Sequence, residues 1–282
     1  MTSPPPTSLP DDPISDFVDL DRYPIIDLES SAGRELITGM HEEMADTGAC
    51  CLRDFIRPDA LKKLQTEAES LAHLAYGGPT EVTPYFFNYS LGEGKNYPPD
   101  HPTRRTSPRR LGQVAGDLIP DETQLRQIHN SPALIAFLAK ALGEQTLYPL
   151  DDRQQSLNIS VMEENGCQQW HFDRGKSVIT LLAQAPEGGG IFEYVPNIRS
   201  DQSENYDAVS RILDGHRENV RSVTLTAGTL MLFRGHYSLH RVTPVEGRRR
   251  RLQLILAYAD QPDLKGSSVS SHLHYGARAS IT

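Results

Sequence analysis

No stretch of this 282-residue sequence approaches the roughly 18 uninterrupted apolar residues that a membrane-spanning helix needs. The opening residues, Met1-Thr2-Ser3-Pro4-Pro5-Pro6, have neither the basic start nor the apolar stretch of a secretory signal. Cysteine is scarce. Cys50, Cys51 and Cys167 are an odd number with two adjacent, a poor basis for a disulfide framework. Reduced thiols and a cytoplasmic location are the expectation. Basic charge is short as well: 28 Lys and Arg against 37 Asp and Glu give a formal net charge of −9. That balance argues against a partner that is nucleic acid or an anionic membrane, because phosphate contacts need a basic face. The dense basic run Arg248–Arg251 is too short to reverse it.

What is present has the make-up of an ordinary globular domain, 38% hydrophobic and 23% charged. Residues 1–22, rich in Pro, Asp and Ser, read as a disordered leader. The rest, 23–282, reads as one domain: a helical N-terminal half (23–147), a β-rich core (148–262) and a C-terminal segment (263–282). Tyr23–Asp27 predicts a short edge strand. Leu36, Met40 and Met44 recur at helical spacing up to Gly48, and Ala49–Phe55 reads as a strand. Asp59 is a plausible N-cap for a helix burying Leu61, Leu64, Ala68, Leu71 and Leu74. Residues 76–110 look like one long loop, Leu111–Ile119 like a strand, and Ser131-Pro132 opens a helix that stops before Gly143. From about 148 short strands dominate: Ser156–Met162, Trp170–Asp173, Ser177–Gln184, Ile191–Val195, Arg221–Thr226, Thr229–Phe233 and Leu252–Ala259. One helix, Asn205–Leu213, interrupts them. Helices followed by many short strands predict an α+β, mainly β, fold: a jelly-roll core buttressed by N-terminal helices.

Trp170-His171-Phe172-Asp173 ends one of these strands. Alternation sends His171 and Asp173 to the same face, where both can reach one ion. A bare His-x-Asp is common, and a buried histidine paired with an aspartate would look the same. A third ligand sharpens the reading. His240, 69 residues after His171, follows the segment Gly228-Thr229-Leu230-Met231-Leu232-Phe233-Arg234-Gly235 and precedes Arg241-Val242-Thr243-Pro244-Val245. Two imidazoles and one carboxylate on one face of an octahedron leave three positions open, the arrangement of oxygen-activating Fe(II). His236, at the turn itself, is the rival to His240. His272 and His274 lack a carboxylate in register and suit a structural or substrate-contact role.

Eleven residues after His240 stands an arginine that opens the last strand. A dicarboxylate bound to the metal at one end needs a cation at the other, and the guanidinium fork suits it. Leu252, Leu254, Leu256 and Tyr258 form the bulky face of that strand, which should pack on the helices. The mixed face of Arg251, Gln253, Ile255 and Ala257 should line the interior. Arg251 is therefore the first candidate to bind the co-substrate. Arg249, of the same parity, is the second. Arg248 and Arg250 read as a solvated turn.

These residues resemble the Fe(II)/2-oxoglutarate oxygenase superfamily, a double-stranded β-helix. The match is closer to the BesD/HalD-like branch over Gln169–Asp173, Thr180–Leu182, Gly190–Arg199, Glu204–Val209 and the stretch from Gly228 through His240 to Val245. The resemblance implies Fe(II), 2-oxoglutarate and O2 as cofactor and co-substrates, with His171, Asp173 and His240 as both metal ligands and catalytic centre. It also implies a small-molecule substrate, in that branch a free amino acid that is halogenated or hydroxylated. Halogenases of the branch carry glycine where this chain has Asp173, so the resemblance implies a hydroxylase. Candidate substrate contacts are Arg104, Arg105, Arg109 and Arg110 for a carboxylate, and Gln154, Asn158 and Gln168 as polar partners. Gln168 and Arg174 flank the His-x-Asp motif in place of the groups expected to recognise lysine. The same oxidative chemistry with another outcome (desaturation, cyclisation or halogenation) is the main alternative. A non-catalytic jelly-roll binding module fits less well, because no member of the set is missing. A zinc hydrolase leaves the arginine without a role, and neither His-Glu-x-x-His nor Gly-x-Ser-x-Gly is present. A homodimer is compatible with everything above.

Overall fold

Local signals set most of the helices. In the computed structural model, residues 12–86, 96–266 and 268–276 are described. Helix α1 is Ile14–Phe17 and α2 is Ser31–Thr47. The Ser30 hydroxyl accepts from Gly33 N to start α2, and Gly48 ends it in the left-handed conformation at φ 71°. Strand β1 (Ala49–Leu52) follows, then α3 (Pro58–Leu71), strands β2 (Tyr76–Val82) and β3 (Ser107–Val114), and helices α4 (Gln124–Asn130) and α5 (Pro132–Leu142). Helix α5 is capped by the Ser131 hydroxyl and stops at Gly143, φ 73°.

The second half adds β4 (Tyr148–Pro149), β5 (Leu157–Met162), β6 (Cys167–His171), β7 (Val178–Gln184), β8 (Gly188–Gly189) and β9 (Phe192–Val195). Helix α6 (Tyr206–Leu213) precedes β10 (Arg221–Val223), β11 (Leu230–Phe233), β12 (Leu239–Val242), β13 (Val245–Glu246), β14 (Arg251–Leu256) and β15 (Tyr258–Ala259). Helix α7 (Ser268–Tyr275) closes the described chain. Among the described residues, no helix is long and apolar enough to cross a membrane.

The strands join in one curled antiparallel sheet in the order β1-β11-β7-β14-β5-β3-β6-β12-β9-β10, with β2 added beside β3. This is a double-stranded β-helix core of an α+β, mainly β, protein. Its outward face carries Leu252, Leu254 and Leu256 of β14, Leu157 and Ile159 of β5, and Ile179 and Leu181 of β7. These share one hydrophobic core with Leu64 of α3 and with Leu134, Phe137 and Leu138 of α5. The bulky side of the last strand thus packs on the helices. Its alternate residues face a cavity inside the sheet.

Several sequence expectations need correction. Residues 12–22 are not a loose leader: Ile14, Phe17 and Val18 are buried, and Asp12 accepts from Ser131 Oγ and Ala133 N at the start of α5. Residues 1–11 lie outside the described residues. Tyr23–Asp27 forms turns, with Tyr23 and Ile25 buried. The N-cap of α3 is Arg57, so Asp59 lies in its first turn, where the helix dipole favours an acid. The expected loop 76–110 contains β2 and the first half of β3, which pair over Tyr76–Val82 and Ser107–Gln113. Gly77, Gly78 and Pro79 are breakers in most contexts, but β2 is an edge strand, where glycine and proline are tolerated. Residues 87–95 of that loop lie outside the described residues.

Candidate metal centre and its cavity

His171 on β6 and His240 on β12 are cross-strand partners, and their rings lie 4.0 Å apart between centroids. The pairing slips between His240 and Val242, a bulge of the kind that re-aims side chains beside active sites. Each imidazole is fixed by the carbonyl two residues before it: His171 Nδ1 to Gln169 O at 2.8 Å, and His240 Nδ1 to Ser238 O at 2.9 Å. A carbonyl only accepts, so both Nδ1 atoms carry the proton and both Nε2 atoms present lone pairs.

Those lone pairs meet a carboxylate. Asp173 Oδ2 lies 3.1 Å from His240 Nε2, and Oδ1 lies 3.7 Å from His171 Nε2. One ligand atom from each residue lies within 4.8 Å of the others. Three converging electron-rich atoms call for a cation among them, and the donor set fits Fe(II). Burial opposes charge on Asp173, but His240, His171 and Arg199 beside it hold its carboxyl below the usual range. Burial, reinforced by His240, pulls His171 down to about 3 and so keeps it neutral, the form that ligates metal.

The turn after β11 holds the carboxylate in place. Asp173 N donates to Gly235 O at 3.0 Å, and a Cβ at Gly235 would overlap the Asp173 carboxylate. Buried Arg199 braces that turn through His236 O at 2.5 Å and Glu204 at 2.9 Å, and stacks on Phe172 at 4.0 Å. Neither Gly235 nor Arg199 was singled out by residue-level reading. Both act through contacts distant in sequence. His236 belongs to this brace and does not line the cavity.

All three candidate ligands line a cavity of about 260 Å³ inside the curled sheet. Arg251 and Gln253 line it too. Arg251 is buried, its Nη2 donates to Gln253 Oε1, and desolvation pulls its pKa down to about 10. Gln253 Nε2 has no partner among the described residues. Arg249 is exposed, donates to Ala185 O at 2.8 Å and Pro186 O at 3.1 Å, and is not part of the lining.

Two polar rows cross the cavity wall in register. Gln113, Ser160 and Gln253 stand side by side on β3, β5 and β14. Asn158, Ile255 and Thr180 do the same on β5, β14 and β7. The side-chain oxygens Gln113 Oε1, Asn158 Oδ1 and Thr180 Oγ1 are buried without partners among the described residues. Buried polar groups are normally satisfied, so this wall fits a polar ligand.

The other proposed contacts separate. Gln168 Nε2 lies 2.9 Å from His171 Nε2, donating to the lone pair that faces the centre. Arg174 lines the cavity from an exposed position. Arg109 is 2% exposed and is not part of the lining, but it shares the inward face of β3 with Gln113 and lies across from Gln168, and both of those residues line the cavity. Arg109 Nε has no partner among the described residues, and burial pulls its pKa down to about 10. Arg104 donates to Tyr97 O at 2.7 Å, Arg105 pairs with Asp214 at 2.7 Å, and Arg110 is exposed; none of them lines the cavity. Gln154 is buried but outside the lining, where its neighbour Gln155 stands instead. From α7, His274 and Tyr275 complete the wall. The helix places His274 in the lining, in keeping with the structural or substrate-contact role expected of it, while His272 is exposed.

The Halogenase D (HalD) family profile matches residues 99–275. A search of curated protein sequences gives no match. In fold, the chain is similar to AviO1 from Streptomyces viridochromogenes Tue57, with TM-score 0.53, 18% identity, and 82% of this chain and 97% of that one covered. It is also similar to SnoN, a non-haem α-ketoglutarate-dependent epimerase from nogalamycin biosynthesis (TM-score 0.53, 12% identity, 80% and 82% covered). SnoK, a carbocyclase of the same dependence and biosynthesis, gives TM-score 0.53 at 11% identity, with 78% and 82% covered. The profile spans well over half of the sequence, and the His-x-Asp…His set fits the superfamily. The chain therefore belongs to the Halogenase D family and is an Fe(II)-, 2-oxoglutarate- and O2-dependent oxygenase.

Proposed function

We propose that this oxygenase hydroxylates an aliphatic carbon of a free amino acid or a close derivative. In this reading His171, Asp173 and His240 hold the iron, Arg251 holds the far carboxylate of 2-oxoglutarate, and Arg109 holds the substrate carboxylate. The observation that carries the outcome is Asp173 Oδ2 at 3.1 Å from His240 Nε2. A carboxylate there occupies a ligand position that a halide would need and adds negative charge against a second anion. When bound, iron with 2-oxoglutarate and O2 supplies oxidation of an unactivated C–H bond, giving succinate and carbon dioxide as co-products.

The chain's own residues bind and orient. The Nδ1 hydrogen bonds of His171 and His240 fix both rings so that Nε2 faces the centre. Arg251 is held by Gln253, whose free Nε2 is a second donor for the same carboxylate. Arg109 is a buried cation whose Nε lacks a partner, a state that an incoming carboxylate relieves. Met231, Phe233 and Phe192 line the cavity with apolar surface that limits water near the centre.

The test is mass spectrometry of the common amino acids and their derivatives incubated with enzyme, Fe(II), ascorbate, 2-oxoglutarate and chloride. The expected product is one oxygen atom heavier than its substrate. A chlorinated main product would overturn the hydroxylase reading, and turnover of none of these compounds would overturn the substrate reading.

A further inference from the structure

The cavity is rich in cations that lack anions. Among its lining residues are Arg174 and Arg251, and Asp173 is the one acid there among the described residues. Arg109 sits behind the same wall, and no acid is among the causes of its lowered pKa. Nearby arginines do have acids: Arg105 pairs with Asp214, Arg199 with Glu204 at 2.9 Å, and Arg241 with Glu193 at 2.6 Å. Among the described residues, Asp214, Glu204 and Glu193 are thus committed to arginines other than Arg109, Arg174 and Arg251.

The charges can be tallied with the co-substrate in place. The two positive charges of Fe(II) are offset by the two negative charges of 2-oxoglutarate. Asp173 is offset by Arg251. Arg109 and Arg174 remain. One α-carboxylate satisfies one of them, and the substrate's α-ammonium group only adds to the surplus. Arg109 is a buried cation without an acidic partner among the described residues, which is costly, and an anion removes that cost; Arg174, exposed at the cavity mouth, carries no such cost and offers a second anion a charged hydrogen bond. Gln113, Asn158, Ser160, Thr180 and Gln253 of the wall offer amides and hydroxyls, and among the described residues the lining holds no carboxylate besides Asp173 to receive a second ammonium.

We propose that the substrate is an amino acid whose side chain ends in a carboxylate, with its α-carboxylate at Arg109 and its side-chain carboxylate at Arg174 by the cavity mouth. This deepens the amino-acid reading above and depends on it. It also gives the site a way to reject lysine-like substrates, which would bring a further cation to a surplus of cations.

The experiment is anaerobic calorimetry on the enzyme loaded with Fe(II) and 2-oxoglutarate. The probes are L-aspartate, L-glutamate, L-glutamine, L-norvaline, L-ornithine and L-lysine, and product formation in air is followed in parallel. L-Glutamate or L-aspartate should bind at least about tenfold more tightly than L-lysine and L-ornithine, the worth of one charge-assisted hydrogen bond. Arg174→Glu should weaken the acidic ligand by at least as much and strengthen L-lysine. Tighter binding of a basic or neutral amino acid to the wild-type enzyme would overturn this inference and leave the amino-acid reading standing. Binding of none of the six, with no turnover of any, would overturn the amino-acid reading itself.

Discussion

Gly235 and Asp173 are fitted to each other: the backbone carbonyl of Gly235 accepts from Asp173 N at 3.0 Å, and the space where a Gly235 side chain would begin is filled by the Asp173 carboxylate. The glycine is required by close approach rather than by unusual backbone conformation. Gly235→Ala should push Asp173 off its position and weaken Fe(II) binding by about tenfold or more, in the range seen for supporting contacts of metal ligands. Titration of the metal-free enzyme with Fe(II) under nitrogen measures this. Unchanged affinity in a folded Gly235→Ala protein would show that the turn does not position the ligand.

Two of the four arginines of the 248–251 run, Arg249 and Arg251, should behave differently. Arg251 is buried beside Gln253, whereas Arg249 is exposed and engaged with Ala185 O and Pro186 O. Arg251→Ala should raise the KM for 2-oxoglutarate by roughly tenfold to a hundredfold, the loss of about 1.5–3 kcal/mol from charged hydrogen bonds. Arg249→Ala should leave it close to wild type. The opposite pattern would move the co-substrate role to Arg249.

On the proposed assignment, Asp173→Gly removes one of three iron ligands, in a chain whose family is named for halogenation. The variant should lose hydroxylation and bind Fe(II) more weakly. Product analysis in molar chloride measures both this and the wild-type outcome. A variant that hydroxylates as well as the wild type would mean that Asp173 is not a ligand.

The buried His129 and the half-buried His274 predict an acid-sensitive fold. Burial lowers the pKa of His129, and burial together with Arg109 lowers that of His274 to about 3. In the unfolded chain both protonate near the ordinary value of about 6.5. The unfolded state therefore binds more protons below that pH. The stabilising contribution is complete above about 6.5 and is lost as pH falls toward the folded pKa, at about 1.4 kcal/mol per pH unit for each histidine. Denaturant melts of the metal-free enzyme at pH 7.5, 6.5, 5.5 and 5.0 should show this decline, with a shallower slope in His129→Gln. Identical slopes in the two proteins would contradict it.

The centre was legible in the sequence wherever alternation decides direction. Strand parity turned Arg251 inward with Gln253 because β14 is regular, and it indicated one face for His171 and Asp173, although β6 ends at His171 and its pairing with β12 is bulged, so the turn at Gly235 places Asp173. Ser131, Gly48 and Gly143 marked their helix ends through capping chemistry that acts within one turn. What failed was decided by distant contacts. Strand β2 exists because β3 pairs with it along its length, against the local tendency of Gly77, Gly78 and Pro79. Residues 12–22 are held by Asp12 at the start of α5. The four arginines 104, 105, 109 and 110 are indistinguishable by type and spacing. Only tertiary burial sets Arg109 apart from the others.

The central claim is that His171, Asp173 and His240 together hold the iron at which 2-oxoglutarate is used. The most direct measurement is the visible charge-transfer absorption of the Fe(II)–2-oxoglutarate chelate under nitrogen, in the wild type and in His171→Ala, Asp173→Ala and His240→Ala proteins whose folding is verified by circular dichroism. The wild type should develop the band at one Fe(II) per chain, and each variant should lose it or need far more Fe(II) to form it. A wild-type enzyme with no such band, or a band that persists unchanged in His240→Ala, would contradict the account.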